Sequence, residues 1–273
     1  MASNPPSNTN SQAIKVDDRL LSSFRSYSSL ASSQDNMQLA VGRSSSMEGS
    51  EEDIFQDAFE KLSVNNGHKI LCIGIGCGQI ANWWLLKAIE MDLSLCFVDF
   101  PEVLNKIKRA LIPKFQTLPE LRLVKGIFPH ECVDEIANEK YDAIEMYSVI
   151  HCSDAPLKLI EAAASFLAPG GRLLIGDIPN LDRKGRFLST VKGRKFDANY
   201  KNIPLENAPV FKDYHSFTKT ALADGAPHID DTFIYDLIKL YRSKGFDVFL
   251  LNQPLTLPFS FTREDILIIA PHD

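Results

Sequence analysis

The chain has 273 residues, 45% of them apolar, and a net charge of −6. That size suits one large domain, or a domain with appendages, around a substantial core. The acidic balance argues against a general nucleic-acid surface, and no apolar run reaches the roughly 18 residues of a membrane span.

The opening residues lack the charged-then-apolar layout of a secretory leader, so a cytoplasmic location is expected. Five scattered cysteines (Cys72, Cys77, Cys96, Cys132 and Cys152) contain no CxxC pair and no zinc spacing. They read as small buried thiols of a reducing compartment.

Residues 1–49 form a Ser-rich segment ahead of a main domain over 50–273. The first 50 residues hold 14 serines and few large apolar side chains. The first dozen are expected to be disordered. "DDRLLSSFRSYSSLA" spaces Leu20, Leu21, Phe24 and Tyr27 as a short helix does. "SEEDIFQDAFEKLS" reads as a firmer helix, with Ser50 as N-cap and acids in the first turn. From Lys69 strands and helices alternate. "KILCIG", "LSLCFVDF", "LRLVKG", "YDAIEMYSVI" and "RLLIGDI" read as strands. "QIANWWLLKAIEMD", "PEVLNKIKRALI", "CVDEIANE" and "APLKLIEAAASFLA" are the helices between them, the last ended by "PGG". This rhythm predicts an α/β fold, a doubly wound and mostly parallel sheet covered on both faces, with helices ahead of it. Residues 181–227 break the rhythm and read as a lid-like insertion. "DDTFIYDLIKLYRSKGF" restores a helix stopping at Gly245. "DVFLLNQ" and "EDILIIA" then close the sheet as an antiparallel ending, because their short connection holds no helix. Of Trp83 and Trp84, one is expected on the sheet and the other toward the N-terminal helices.

The stretch "ILCIGIGCGQI" places Gly74, Gly76 and Gly78 between a strand and a helix. Bare backbone there lets a ligand approach the helix N-terminus. A dinucleotide fingerprint wants GxGxxG, but here the third glycine comes one residue early. Asp99 ends the second strand 21 residues after Gly78. Its carboxylate can accept both hydroxyls of a ribose, or cap the helix that opens at Pro101.

These ordered pieces resemble the class I S-adenosylmethionine-dependent methyltransferases over roughly residues 50–271. "LCIGIGCG" is similar to their first motif and "VDF" to the acidic end of their second strand. "YDAIEMYSVIHCSDAPLKLIEAAASFLAPGGRLLIGD" is similar to their fourth-to-fifth-strand block. "LYRSKGFDVFLL" with "REDILIIA" is similar to their late helix and antiparallel last strand. The resemblance implies a seven-stranded sheet with S-adenosyl-L-methionine across the strand ends. Gly74, Gly76, Gly78, Asp99, Phe100, Gly126, Ile127 and Tyr147 would be the cofactor residues. The sequence departs from the family where acids are common, at Cys72 and Ile127.

The implied activity is O-methylation of a small molecule, a sugar or a secondary metabolite. The alternative is a non-catalytic cofactor-binding or scaffold member of the fold. Candidates after the fourth strand are Glu145, Tyr147, His151 and Asp154. His151 is a base removing the acceptor's proton, a wall of the pocket, or a structural residue. Glu145, inside an apolar strand, pairs with a cation or faces the cleft, and the cleft is favoured. Asp154 reads as a helix cap. Asp177 could touch substrate. Asp177, Asn180 and Asp182 make only a weak oxygen set, so no metal is expected. The insertion carries Arg183, Lys184, Arg186, Lys192, Arg194 and Lys195. It is expected to cover an anionic or glycosylated acceptor, or else to be an ordinary solvated lid; a grip on RNA is disfavoured by the acidic chain and the lack of an RNA module. Oligomeric state is not legible.

Overall fold

The structure, a computed structural model, describes residues 16–43 and 49–272. The disorder expected for the first dozen residues lies outside the described residues. The helices are α1 (Asp18–Ser33), α2 (Met37–Ala40), α3 (Ser50–Leu62), α4 (Gln79–Met91), α5 (Pro101–Ala110), α6 (Val133–Ile136), α7 (Pro156–Ala164), α8 (Leu181–Leu188), α9 (Val191–Lys201), α10 (Tyr214–Ala223) and α11 (Asp231–Ser243). The strands are β1 (Lys69–Ile73), β2 (Ser94–Asp99), β3 (Leu121–Lys125), β4 (Tyr141–Tyr147), β5 (Leu167–Pro179), β6 (Asp247–Asn252) and β7 (Arg263–Ile269).

They form one sheet in the order β3-β2-β1-β4-β5-β7-β6. β1 to β5 pair in parallel, and β7 runs antiparallel between β5 and β6. Strand order reverses between β1 and β4, which opens a crevice at their carboxyl ends.

Alternating side chains give the sheet two cores. Ile70 and Cys72 of β1 join Ala143 and Tyr147 of β4 on the face covered by α3, α4 and α5. Leu71 and Ile73 face the other side with Ile144, Met146 and residues of α7 and α11. Glu145 shares the parity of Ala143 and Tyr147, so it points into the α4 side.

Several boundaries differ from expectation. α7 ends at Ala164, and "PGG" belongs to the start of β5, because Tyr141 N–H already bonds Phe166 O at 2.9 Å. Gly49, and not Ser50, is the N-cap residue of α3. Asp154 caps no helix among the described residues. It pairs with Arg19 of α1 at 2.7 Å, while Ser153 Oγ takes the Ala155 N–H at 3.0 Å. The insertion at 181–227 holds α8, α9 and α10. They pack closely through Gly185 and Gly193, where a Cβ would meet Tyr214 O at 2.7 Å and Phe187 O at 1.9 Å.

Candidate functional site

A cavity of about 150 Å³ sits at the carboxyl ends of β1, β2 and β4. Gly74, Gly76, Asp99, Phe100, Gly126, Glu145 and Tyr147 all line it. Gly78 and Ile127 do not. Ile127 is buried with its N–H bonded to Glu131 Oε2 at 2.8 Å, and its neighbour Phe128 lines the cavity instead.

The three glycines serve different purposes. Gly74 and Gly76 have φ of +67° and +68°, a left-handed backbone that L side chains enter at a cost. A Cβ on them would meet Val149 Cγ2 at 2.6 Å and Val41 Cγ1 at 2.9 Å. At Gly78 a Cβ would meet Glu51 Oε1 at 2.4 Å. Glu51, from α3, therefore occupies the N-terminus of α4, accepting from Gln79 N–H at 3.1 Å. Arg43 pairs with the same carboxylate at 2.5 Å and also lines the cavity.

Asp99 is buried, and its two oxygens accept the N–H groups of Gly76 and Phe100, each at 2.7 Å. Burial outweighs these bonds and raises its carboxyl to about 6. Glu145 is 1% exposed. Its Oε2 accepts the Trp84 indole N–H at 2.6 Å, while Oε1 is buried with no hydrogen-bond partner among the described residues. Burial raises this carboxyl to about 7, against the pull of the indole, the Cys72 thiol and Arg43. In register, Glu145 stands beside Cys72. Acids thus stand beside both positions, Glu145 on the strand next to Cys72 and Glu131 accepting the Ile127 N–H.

The N-terminal segment roofs this cavity. Leu20, Ser23 and Tyr27 of α1, with Ala40, Val41 and Arg43, line it. α1 is held by Phe24 edge-on to Phe100 (5.0 Å), by Ser28 Oγ donating to Glu102 (2.8 Å) and by Ser153 Oγ donating to Asp17 (2.5 Å). The N-terminal segment therefore bounds the space beside the glycine loop.

Beyond β4 the chain turns sharply. Ser148 and Asp177, at the ends of β4 and β5, both have positive φ (62° and 57°), and the Ser148 hydroxyl donates to Asp177. Such backbone costs about 1–2 kcal/mol per residue. The pair fixes the turn that carries His151. Ser148, Val149 and Cys152 face the first cavity, whereas His151 lines a second one of about 380 Å³ under α8–α10. The turn thus contributes to both. Among the described residues His151 Nδ1 is buried without a partner. Burial, and then the Arg263 guanidinium, lower this imidazole to about 4, so it is neutral at physiological pH and a weak base.

Most insertion cations are engaged in holding the fold. Arg183 bonds Asn252, Glu264 and the Ser260 carbonyl, Arg186 pairs with Asp231, and Arg194 bonds two backbone carbonyls. Lys192 lies 4.0 Å from the Phe261 ring centroid. Only Lys184 of the six lines the second cavity. Asn180 caps α8, and Asp182 accepts from Thr218 and from the Asp231 N–H, so neither is free for a ligand. No cluster of three or more metal-binding side chains occurs among the described residues.

No protein-family model matches the sequence, and no curated protein matches it. Solved structures do match the backbone. One is phosphoethanolamine N-methyltransferase 1 of Haemonchus contortus, in complex with phosphoethanolamine and S-adenosylhomocysteine. It matches at 13% identity and a TM-score of 0.55, over 94% of this chain and 50% of that one. This chain therefore spans half the length of that relative. Another is the putative methyltransferase from its complex with the Trm112 activator of Haloferax volcanii (13%, TM-score 0.52, 90% and 98%). A third is the plantazolicin methyltransferase BpumL in complex with SAH (14%, TM-score 0.50, 92% and 99%).

The chain has the class I methyltransferase fold. Within that fold the first cavity lies where the glycine loop meets the crevice between β1 and β4, and the second lies under the insertion after β5. Arg43, Glu51, Arg263 and Ser148 were not singled out by the sequence. Arg43 and Glu51 carry no motif. Arg263 reaches Asp177 only because β7 returns antiparallel beside β5, pairing Pro179 with Arg263.

Among the described residues no helix is long and apolar enough to cross a membrane.

Proposed function

We propose that this chain is an S-adenosylmethionine-dependent methyltransferase acting on an oxygen of a small molecule. The observation that carries the reading is the charge of the first cavity. Asp99 and Glu145 are buried in it, and Glu51 sits on the N-terminus of α4. A dinucleotide's pyrophosphate at that helix end would meet the Glu51 carboxylate, which is paired with Arg43. A sulfonium nucleoside carrying net positive charge meets two carboxylates that burial leaves short of compensation, so each stabilises the other.

Gly74, Gly76 and Gly126 would let the ligand lie against backbone. Asp99 has lone pairs beyond its two backbone bonds for ribose hydroxyls. Phe100 and Tyr147 would flank the ligand, and the unpartnered Oε1 of Glu145 suits a cationic amino group. Bound there, the cofactor supplies an electrophilic methyl group on sulfonium. The chain's own contribution is alignment and exclusion of water by the α1–α2 roof and the α8–α10 cover. His151 is a positioning group at the acceptor side, since an imidazole lowered to about 4 holds a transferred proton poorly.

Melting curves with S-adenosylmethionine, S-adenosylhomocysteine and NAD test the reading. Stabilisation by the first two alone is expected, about 2.7 kcal/mol at a hundredfold excess over Kd. Stabilisation by NAD alone, or by none of the three, sinks it.

A further inference from the structure

The second cavity has a lining of two kinds. One wall is aromatic: Phe196 stacks on Tyr200 with centroids 6.3 Å apart, and Tyr200 meets Phe259 edge-on at 5.6 Å. The rest of the lining is largely apolar and carries three cations. Lys184, Lys201 and Arg263 line it against one carboxylate, Asp197, which already accepts from Lys201 at 2.8 Å. Lys184 has no carboxylate within ion-pair distance among the described residues, and its ammonium lies 5.6 Å from the Phe217 ring centroid. Arg263 lies 5.7 Å from the Phe259 ring centroid, and its closest carboxylate is Asp177 at 3.7 Å. Asp177 is itself shared with the Ser148 hydroxyl. The cavity therefore holds flat apolar surface and positive charge in excess of its own anions.

We propose that this cavity takes the methyl acceptor as a small monocarboxylate with a flat apolar body, held by Lys184 and Arg263, and that the product is its methyl ester. The inference rests on the methyl-transfer reading and narrows its acceptor. A carboxylate oxygen would donate a lone pair to the methyl carbon as the carbon–sulfur bond breaks, and that bonding pair returns to sulfur. The sulfonium becomes a neutral thioether, the carboxylate becomes a neutral ester, and no proton moves. The site needs no general base for this. A phenol, with a pKa of about 10, would have to pass its proton to an imidazole lowered to about 4, which is roughly a millionfold uphill at equilibrium. His151 instead offers its unpartnered Nδ1. With the proton on that atom, it donates to an acceptor oxygen.

The test uses the full chain loaded with S-adenosylhomocysteine and titrated calorimetrically with benzoate, phenylacetate and cinnamate. Phenol and benzyl alcohol are the uncharged counterparts. At least one carboxylate should bind tenfold or more tightly than the counterparts. Lys184→Met should lose about tenfold of that preference, and Lys184→Arg should keep most of it. With methyl-labelled cofactor, the product should release labelled methanol on mild base treatment, as an ester does and an aryl ether does not. Carboxylates binding no better than phenol, a Lys184→Met protein that titrates like the wild type, or a base-stable product would each overturn the proposal. If S-adenosylhomocysteine itself fails to bind, the methyl-transfer reading falls and takes the ester with it. If it binds without any preference for carboxylates, only the acceptor class falls.

Discussion

The indole N–H of Trp84 donates to Oε2 of Glu145 at 2.6 Å, tying α4 to the middle of β4 beneath the glycine loop. The indole and the Cys72 thiol together do not offset the burial of this carboxylate. Burial thus strains the charged form, which a neighbouring cation would relieve.

Replacing Glu145 by Gln removes that strain. The folded carboxyl titrates at about 7, against 4.5 for its ordinary value. Below pH 4.5 it is protonated folded and unfolded alike, and no penalty exists. As pH rises to about 7 the unfolded chain loses the proton first, and native stability falls by about 3 kcal/mol. Urea unfolding should therefore find the Gln variant more stable than wild type at pH 8 and equal to it near pH 4. Its affinity for S-adenosylhomocysteine should be lower. Equal stability at both pH values would refute the account.

Asp99→Asn separates binding from folding. The amide relieves a buried charge but turns an N–H donor toward Gly76 or Phe100, and these effects, each about 2–3 kcal/mol, oppose one another. Stability at pH 8 should change by less than either, while calorimetric affinity for S-adenosylhomocysteine falls about tenfold or more. Undiminished affinity would remove Asp99 from the ribose.

Gly74→Ala should destabilise by about 2 kcal/mol or more. It combines the positive-φ cost with a Cβ placed 2.6 Å from Val149 Cγ2. Val149→Ala on the same background removes the clash but leaves the backbone cost, so the double variant should recover part of the loss. Strict additivity in chemical denaturation would show that the two residues do not meet.

Phe24→Ala tests the roof. Phe24 is half-buried and edge-on to Phe100, so about 1 kcal/mol of roof closure should go with it. Global unfolding should move little, whereas the release rate of S-adenosylhomocysteine in stopped flow should rise severalfold. An unchanged release rate would mean that the N-terminal segment does not gate the cavity.

The alternation of apolar strands and amphipathic helices was enough to read the sheet, its covering helices and the antiparallel β7, because period and turn chemistry are local properties of the chain. The same holds for Gly74, Gly76 and Asp99, which a strand–glycine–helix pattern marks wherever it occurs. The three helices of 181–227 escaped because Gly185 and Gly193 look like breakers locally. Only tertiary packing against Tyr214 and Phe187 turns them into points of close contact.

Sequence alone therefore determined the fold class and the position of the glycine crevice, since both follow from short-range pattern. Tertiary structure alone decided that Gly78 lies against Glu51, that Glu145 lies under the loop against Trp84, that His151 faces a different cavity from Asp99, and that Lys184 and Arg263 line that second cavity. Those contacts join segments far apart in the chain, and burial sets the charge state of Asp99, Glu145 and His151. Neither long-range proximity nor desolvation is written in the spacing of residues.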